Sequence, residues 1–231
     1  MKKRWISVMF ATLVLAGCGS DEAVKGEKEE NKAGQELNQK QSTLKENEQE
    51  SQQEGQKIDL NQSVVNIEGE DIPVIDQSVL EGKFTLRMPK LFSIMSPELA
   101  SIKYPSEQRP TVIYTDESTT INLAFNLTTT ALTETGVAEF QEAMIDVLEQ
   151  TQPSAEWLDK DLIEINDKKI GFLEVITPAI DGDIYNLMFF ASIDGQALMG
   201  TFNCMEKDIE TWQPVARAMM ETLQFTANGV E

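Results

Sequence analysis

The chain contains no histidine, and that absence removes more chemistry than any residue present supplies. Without an imidazole there is no Ser-His or Cys-His nucleophile pair, no histidine general base and none of the usual zinc or copper sites. Cysteine is nearly absent too: Cys18 and Cys204 stand alone, too few for a thiolate metal cluster. Basic side chains are scarce, with 19 Lys and Arg against 39 Asp and Glu, a formal charge of -20 over 231 residues. Binding by phosphate neutralisation needs the opposite balance, so no nucleic-acid partner is expected. No GxSxG, Ser-x-x-Lys, Walker A or GxGxxG pattern occurs. The sequence therefore supports no enzyme activity, no cofactor and no metal, and it names no catalytic residue.

What is present begins at the N-terminus. Met1-Lys2-Lys3-Arg4 leads into an apolar run from Trp5 to Ala16, followed by Gly17-Cys18-Gly19-Ser20. A basic start, a short apolar middle and small residues after it are the parts of a secretory signal. As a helix the run would extend about 18 Å, well short of the roughly 30 Å of bilayer hydrocarbon, so it makes a poor membrane span.

Leu15-Ala16-Gly17-Cys18 resembles the bacterial lipobox, the recognition sequence of lipoprotein signal peptides. The resemblance implies diacylglyceryl transfer to the Cys18 thiol and cleavage after Gly17, so that residues 1–17 are a signal peptide and the mature chain starts at Cys18. The plainer alternative is an ordinary cleaved signal with Cys18 incidental. Two acyl chains, at about 0.8 kcal/mol per buried CH2, hold a protein on a bilayer where one does so only marginally. The expected location is the extracytoplasmic face of the cell membrane, with the membrane itself a partner through Cys18.

Residues 19–57 are mostly Glu, Gln, Lys, Asn, Ser and Gly, without an aromatic residue. Such a segment cannot bury enough apolar surface to offset chain entropy, so residues 18–57 are expected to form a lipidated tether. A flexible coil of this length reaches about 35 Å. Leu37 and Leu44 stand one heptad apart, a weak sign of a short helix or coiled coil.

Residues 58–231 hold ten basic and 29 acidic side chains, so nearly all the acidity belongs to the expected folded domain. Phe84, Leu86 and Met88 alternate with polar residues up to Pro89, Thr111 to Tyr114 forms a second apolar stretch, and Ile121 to Leu127 shows the clearest period of two. Val137, Phe140, Met144, Val147 and Leu148 then fall at helical spacing, with Thr135 as N-cap and Pro153 beyond the end. Strands return at Trp157–Ile165, Ile170–Thr177, Ile184–Ile193 and Gln196–Met205. Asn166-Asp167-Lys168-Lys169, Asp181-Gly182 and Asp194-Gly195 fall between them as hairpin turns. A last helix gathers Trp212, Val215, Ala216, Met219 and Leu223 on one face, with Pro214 near its first turn. Strands, helix, strands, helix predicts an α+β domain built on an antiparallel sheet.

This order resembles the PsbP-like fold group over about residues 80–226. The resemblance rests on Phe84-Thr85-Leu86-Arg87-Met88-Pro89, the alternating run after Tyr104-Pro105, the middle helix, the hairpin series, and the close through Trp212, Pro214, Met219 and Thr222-Leu223-Gln224-Phe225. It implies an antiparallel sheet flanked by helices, an α/β/α sandwich, in a group of mostly binding or assembly factors without a shared catalytic motif. Residues 58–82 are expected to add an edge strand at a place the pattern leaves open.

The remaining candidates have ordinary explanations beside functional ones. Cys204 shares a strand face with Leu198 and Phe202 and reads as a small buried hydrophobe. Asp181-Gly182-Asp183 reads as turn chemistry, and Asp116-Glu117 and Asp159-Lys160-Asp161 as solvated surface, none having an EF-hand order. Tyr104, Tyr114, Trp157, Tyr185 and Trp212 suit a core at least as well as a ligand groove. The leading expectation is a membrane-anchored, non-catalytic domain that binds an envelope protein or a wall-associated partner. A small-molecule receptor is the alternative, and a carboxylate-dependent envelope enzyme is a weaker one.

Overall fold

The computed structural model describes residues 58–106 and 109–226. The expected signal peptide, with Leu15, Ala16, Gly17 and Cys18, and the expected tether lie outside the described residues. In chain order the elements are β1 (Val64–Ile67), β2 (Glu70–Val79), β3 (Phe84–Pro89), β4 (Ser93–Ile94), α1 (Pro97–Lys103), β5 (Val112–Thr115) and β6 (Asn122–Ala131). There follow α2 (Val137–Thr151), β7 (Glu156–Ile165), β8 (Lys168–Thr177), β9 (Ile184–Ile193), β10 (Gln196–Met205), α3 (Ile209–Glu221) and β11 (Gln224–Phe225).

The strands form two sheets. The larger has seven in the order β4-β5-β6-β10-β9-β8-β7, the smaller four in the order β1-β2-β3-β11, and every pairing is antiparallel. The expected α+β class and antiparallel meander are therefore present, with β7 to β10 paired in sequence. Tight two-residue turns join β7 to β8 and β9 to β10: Asn166 and Asp167 have φ of 49° and 62°, Asp194 and Gly195 of 52° and 74°. Left-handed backbone at both positions matches the twist of the paired strands. Asp181-Gly182 differs, because it lies in a longer connection after Pro178, and Gly182 takes φ 124°.

Alternation decides which side chains meet which layer. On β9, Tyr185, Leu187, Phe189, Ala191 and Ile193 face a core shared with α3 and the smaller sheet, while Met188 and Phe190 face α2. The first core is the larger; it stacks Phe84, Phe125 and Phe189 edge to face, with centroids 5.1 and 6.0 Å apart. Such pairs add to the stabilisation from simple burial. On the opposite face α2 contributes Val137, Phe140, Met144, Ile145 and Leu148, and α1 covers a small patch of Ala100, Tyr104, Ile113 and Ala124. Helices thus lie on both faces of the large sheet.

Three local expectations are corrected and one element is added. Thr135 is not the N-cap of α2: a 3-10 turn over Glu134–Gly136 precedes the helix, Gly136 occupies the cap, and Thr135 Oγ1 lies 3.2 Å from Thr133 Oγ1 instead. Pro214 is interior to α3, since the helix starts at Ile209 after another 3-10 turn, so the proline removes a helical hydrogen bond. Residues 58–82 give two strands of a second sheet, with β1 at its edge and β2 inside. Helix α1 was not anticipated; seven residues beginning at a proline carry too little periodicity to announce themselves.

Candidate functional site

Three groups of polar residues in the domain are placed well enough to carry a role, and two of them are internal. The first is centred on Glu174, which is wholly buried, 0% exposed, beneath α3. Arg217 donates to it through Nε (2.5 Å to Oε1) and Nη2 (2.8 Å to Oε2), and Gln213 Nε2 donates to Oε2 at 2.6 Å. Arg217 Nη2 also donates to Asp159 on β7 at 2.7 Å, and its guanidinium lies 5.6 Å from the Phe172 ring centre. The hydrogen bond to Glu174 raises the Arg217 pKa further, and burial only partly opposes it. Beside this cluster, burial and then the Glu174 carboxylate push the Tyr185 phenol well above its ordinary value. Glu174 is thus a buried ion-pair partner joining β7, β8 and α3.

The second group is a row of amides on the α1 and α2 side of the large sheet. Asn122, Asn203 and Asn186 sit in register on β6, β10 and β9, with Thr115 beyond Asn122 on β5. Thr115 Oγ1 donates to Asn122 Oδ1 (2.8 Å), Asn122 Nδ2 to Asn203 Oδ1 (3.1 Å), and Asn186 Nδ2 to Thr177 Oγ1 (3.1 Å). The Tyr104 hydroxyl lies against Asn203, yet neither it nor Asn203 Nδ2 makes a well-formed hydrogen bond among the described residues. Burial pushes the Tyr104 phenol up to about 12. All four members of the row are buried, which gives it an internal role.

The third group is at the surface. An open depression of about 460 Å³ lies where the end of α2 meets the start of β7, lined by Glu149, Trp157, Leu158, Asp159 and Lys160. Lys160 Nζ stands 5.9 Å from the centre of the Trp157 ring, a cation resting on an aromatic face. Strand β7 is an edge of the large sheet, and a bulge between Trp157 and Asp159 leaves Leu158 37% exposed. Two acids fold back along this edge: Asp159 Oδ1 accepts from the Lys160 N–H at 2.8 Å, and Asp161 Oδ1 from the Leu162 N–H at 2.7 Å. Edge amides that would otherwise recruit another strand are occupied in this way.

Most of the other candidates take ordinary places. Tyr104, Tyr114, Tyr185 and Trp212 are buried, and Trp157 is the partly exposed aromatic. Asp116 organises its own turn, accepting from Ile121 N (2.8 Å) and Ser118 N (3.0 Å). The Asp159-Lys160-Asp161 group is more than solvated surface, because Asp159 holds Arg217 and both acids cap the strand edge. Among the described residues no group of three or more Cys, Asp or Glu is placed to hold a metal ion, and no helix is long and apolar enough to cross a membrane.

Cys204 is 1% exposed on β10, and burial, followed by Asp208, pushes its thiol from 9.0 up to about 12. Thiolate is the reactive species, so the folded thiol is inert. Alkylation by iodoacetamide at pH 8, followed by mass spectrometry, is expected to be negligible until denaturant unfolds the domain. The sign for stability follows from the raised value. Its contribution is intact below the unfolded thiol pKa and is lost as pH rises toward about 12, so urea midpoints should fall above about pH 9 and fall less steeply in Cys204→Ala.

Among the described residues these features define an antiparallel α+β domain with buried polar groups and an open ledge at a sheet edge. Neither the family models nor the curated proteins include a match to the chain. Solved structures do. The chain is similar to a cyanobacterial PsbP (CyanoP) from Synechocystis, with a TM-score of 0.49 and 10% identity over 66% of this chain and 92% of that one. It is similar also to LpqN of Mycobacterium tuberculosis, described as involved in cell envelope biogenesis (TM-score 0.46, 12% identity, 67% and 92%). A third is the immunity protein TplEi of Pseudomonas aeruginosa (TM-score 0.37, 11% identity, 73% and 74%). At these values no residue role is carried from them to this chain.

Proposed function

We propose that this protein is an envelope lipoprotein, anchored through Cys18 and presenting a non-catalytic domain that binds a protein partner outside the membrane. The anchoring half rests on Leu15-Ala16-Gly17-Cys18 behind a basic and then apolar start. The non-catalytic half is carried by one observation: the groups best suited to chemistry are already committed to internal contacts. Glu174 is neutralised by Arg217, and Cys204 is buried as a protonated thiol. What the surface offers is a partly apolar depression beside carboxylates, open to solvent and suited to side-chain docking.

The anchor is tested by Cys18→Ala. The variant is expected to lose acylation completely and to leave the membrane fraction, read by intact mass and by fractionation. Recovery of the variant acylated in membranes would overturn the assignment. Crosslinking of the wild-type protein in intact cells, with identification of adducts by mass spectrometry, tests the partner.

A further inference from the structure

Helix α2 places Glu139, Glu142, Asp146 and Glu149 at intervals of three, four and three residues, one stripe along its exposed side. No lysine or arginine lies on the helix, so these like charges are neighbours without a counter-ion on α2 itself. The rotation of α2 directs that stripe. Gln141 Nε2 donates to Asp161 O on β7 (2.9 Å) and to Phe172 O on β8 (2.8 Å), which turns the flank bearing Glu142 and Glu149 toward the β7 edge. Glu149 completes the link by lining the same depression as Trp157 and Leu158. Leu162, 38% exposed, continues the apolar part along β7.

We propose that the solvent side of α2 and the adjoining edge of β7 form one docking ledge for a basic, amphipathic segment of an envelope protein. This deepens the partner-binding reading and rests on it. Charge complementarity selects the occupant: Lys or Arg side chains lie along the acidic stripe while one apolar side chain enters the depression beside Trp157. Lys160, over Trp157, already brings a positive charge into the depression, so the occupant presents its apolar side chain there and keeps its basic residues on the stripe. The occupant docks by side chains rather than as an added strand, because Asp159 and Asp161 occupy the N–H groups of Lys160 and Leu162. Anionic lipid is repelled by the same stripe.

The test uses the full-length protein in intact cells, with the photoreactive residue p-benzoylphenylalanine placed at Leu158, at Leu162 or, as a control, at exposed Gln62. Adducts are expected from the first two positions, joined to a lysine- and arginine-rich segment of another protein. The triple change Glu139→Lys, Glu142→Lys, Asp146→Lys should lower their yield by about tenfold or more. The neutral set Glu139→Gln, Glu142→Gln, Asp146→Asn should lower it by less, and all these substitutions are exposed, so circular dichroism should be unchanged. Adducts insensitive to charge reversal, or joined to lipid, to a second copy of this chain or to an acidic segment, would overturn the ledge. Adducts from Gln62 alone would overturn the ledge and leave the partner reading intact. No adduct at any of the three positions would overturn both.

Discussion

Arg217→Met is expected to cost the domain about 3 kcal/mol, although it removes a side chain that is itself more than one third exposed. The cost arises on Glu174, which has no exposure and would keep the Gln213 hydrogen bond, with the Tyr185 hydroxyl beside it. Breaking a buried pair from one side typically costs about 3–5 kcal/mol, and the surviving amide contact places this case at the lower end. Equilibrium urea unfolding measures it. A further result separates this cause from lost packing of the Arg217 stem on Phe172. Adding Glu174→Leu should restore most of the loss, since removing both charges is often nearly neutral. A deficit not relieved by the second change would show that the ion pair is not what holds α3 to β8.

Gly200→Ala is the second change with a large expected effect, from a single methyl group. Gly200 pairs with Phe189 on β9 and Phe125 on β6. A Cβ built there would lie 2.1 Å from Phe189 Cζ and 2.3 Å from Cε2. The ring cannot withdraw easily, because Phe189 is 1% exposed and packs edge to face on Phe125, which packs in turn on Phe84. Overpacking commonly costs about 1–3 kcal/mol, and with contacts this short the upper part of that range is expected. Phe189→Leu in the Gly200→Ala background should recover part of it by freeing the space over residue 200. Chemical denaturation of the two variants measures both effects.

The legible and illegible parts of this chain divide by range. Apolar runs bounded by Asp181-Gly182 and Asp194-Gly195 place β9 and β10 at their observed ends, and helical spacing finds most of the core face of α2, because those signals lie within or beside one element. The two-residue period of a strand puts Glu174 on the Phe172 and Ile176 face of β8, so a buried carboxylate was visible in principle. Its partner was not, since Arg217 lies 43 residues away on a helix whose rotation depends on packing. Gly200 carries a similar limit: a glycine inside a strand signals close approach, but naming Phe189 requires the register of β9 on β10. The second sheet stayed hidden because Pro73 breaks the strand pattern in the sequence of β2, although the strand itself runs through it, and β1 is four residues long. The ledge was hardest to read. Its acids are dispersed through α2 and β7, and only the Gln141 contacts show that they face one edge.

The amide row beneath α1 has a consequence for how the strands find one another. In an antiparallel sheet, a slip of one residue exchanges the two faces of a strand. Were β10 to slip against β6, Asn203 would turn from its bond with Asn122 toward the space now filled by Phe202 and Phe125, and its amide would enter an aromatic interior unsolvated. The hydrophobic alternation on either side tolerates many near-alignments, whereas the Asn122–Asn203 bond, continued by Thr115, forms in one. Asn122 and Asn203 therefore favour one alignment of β10 on β6 over mispaired sheets that oily side chains alone would leave close in energy.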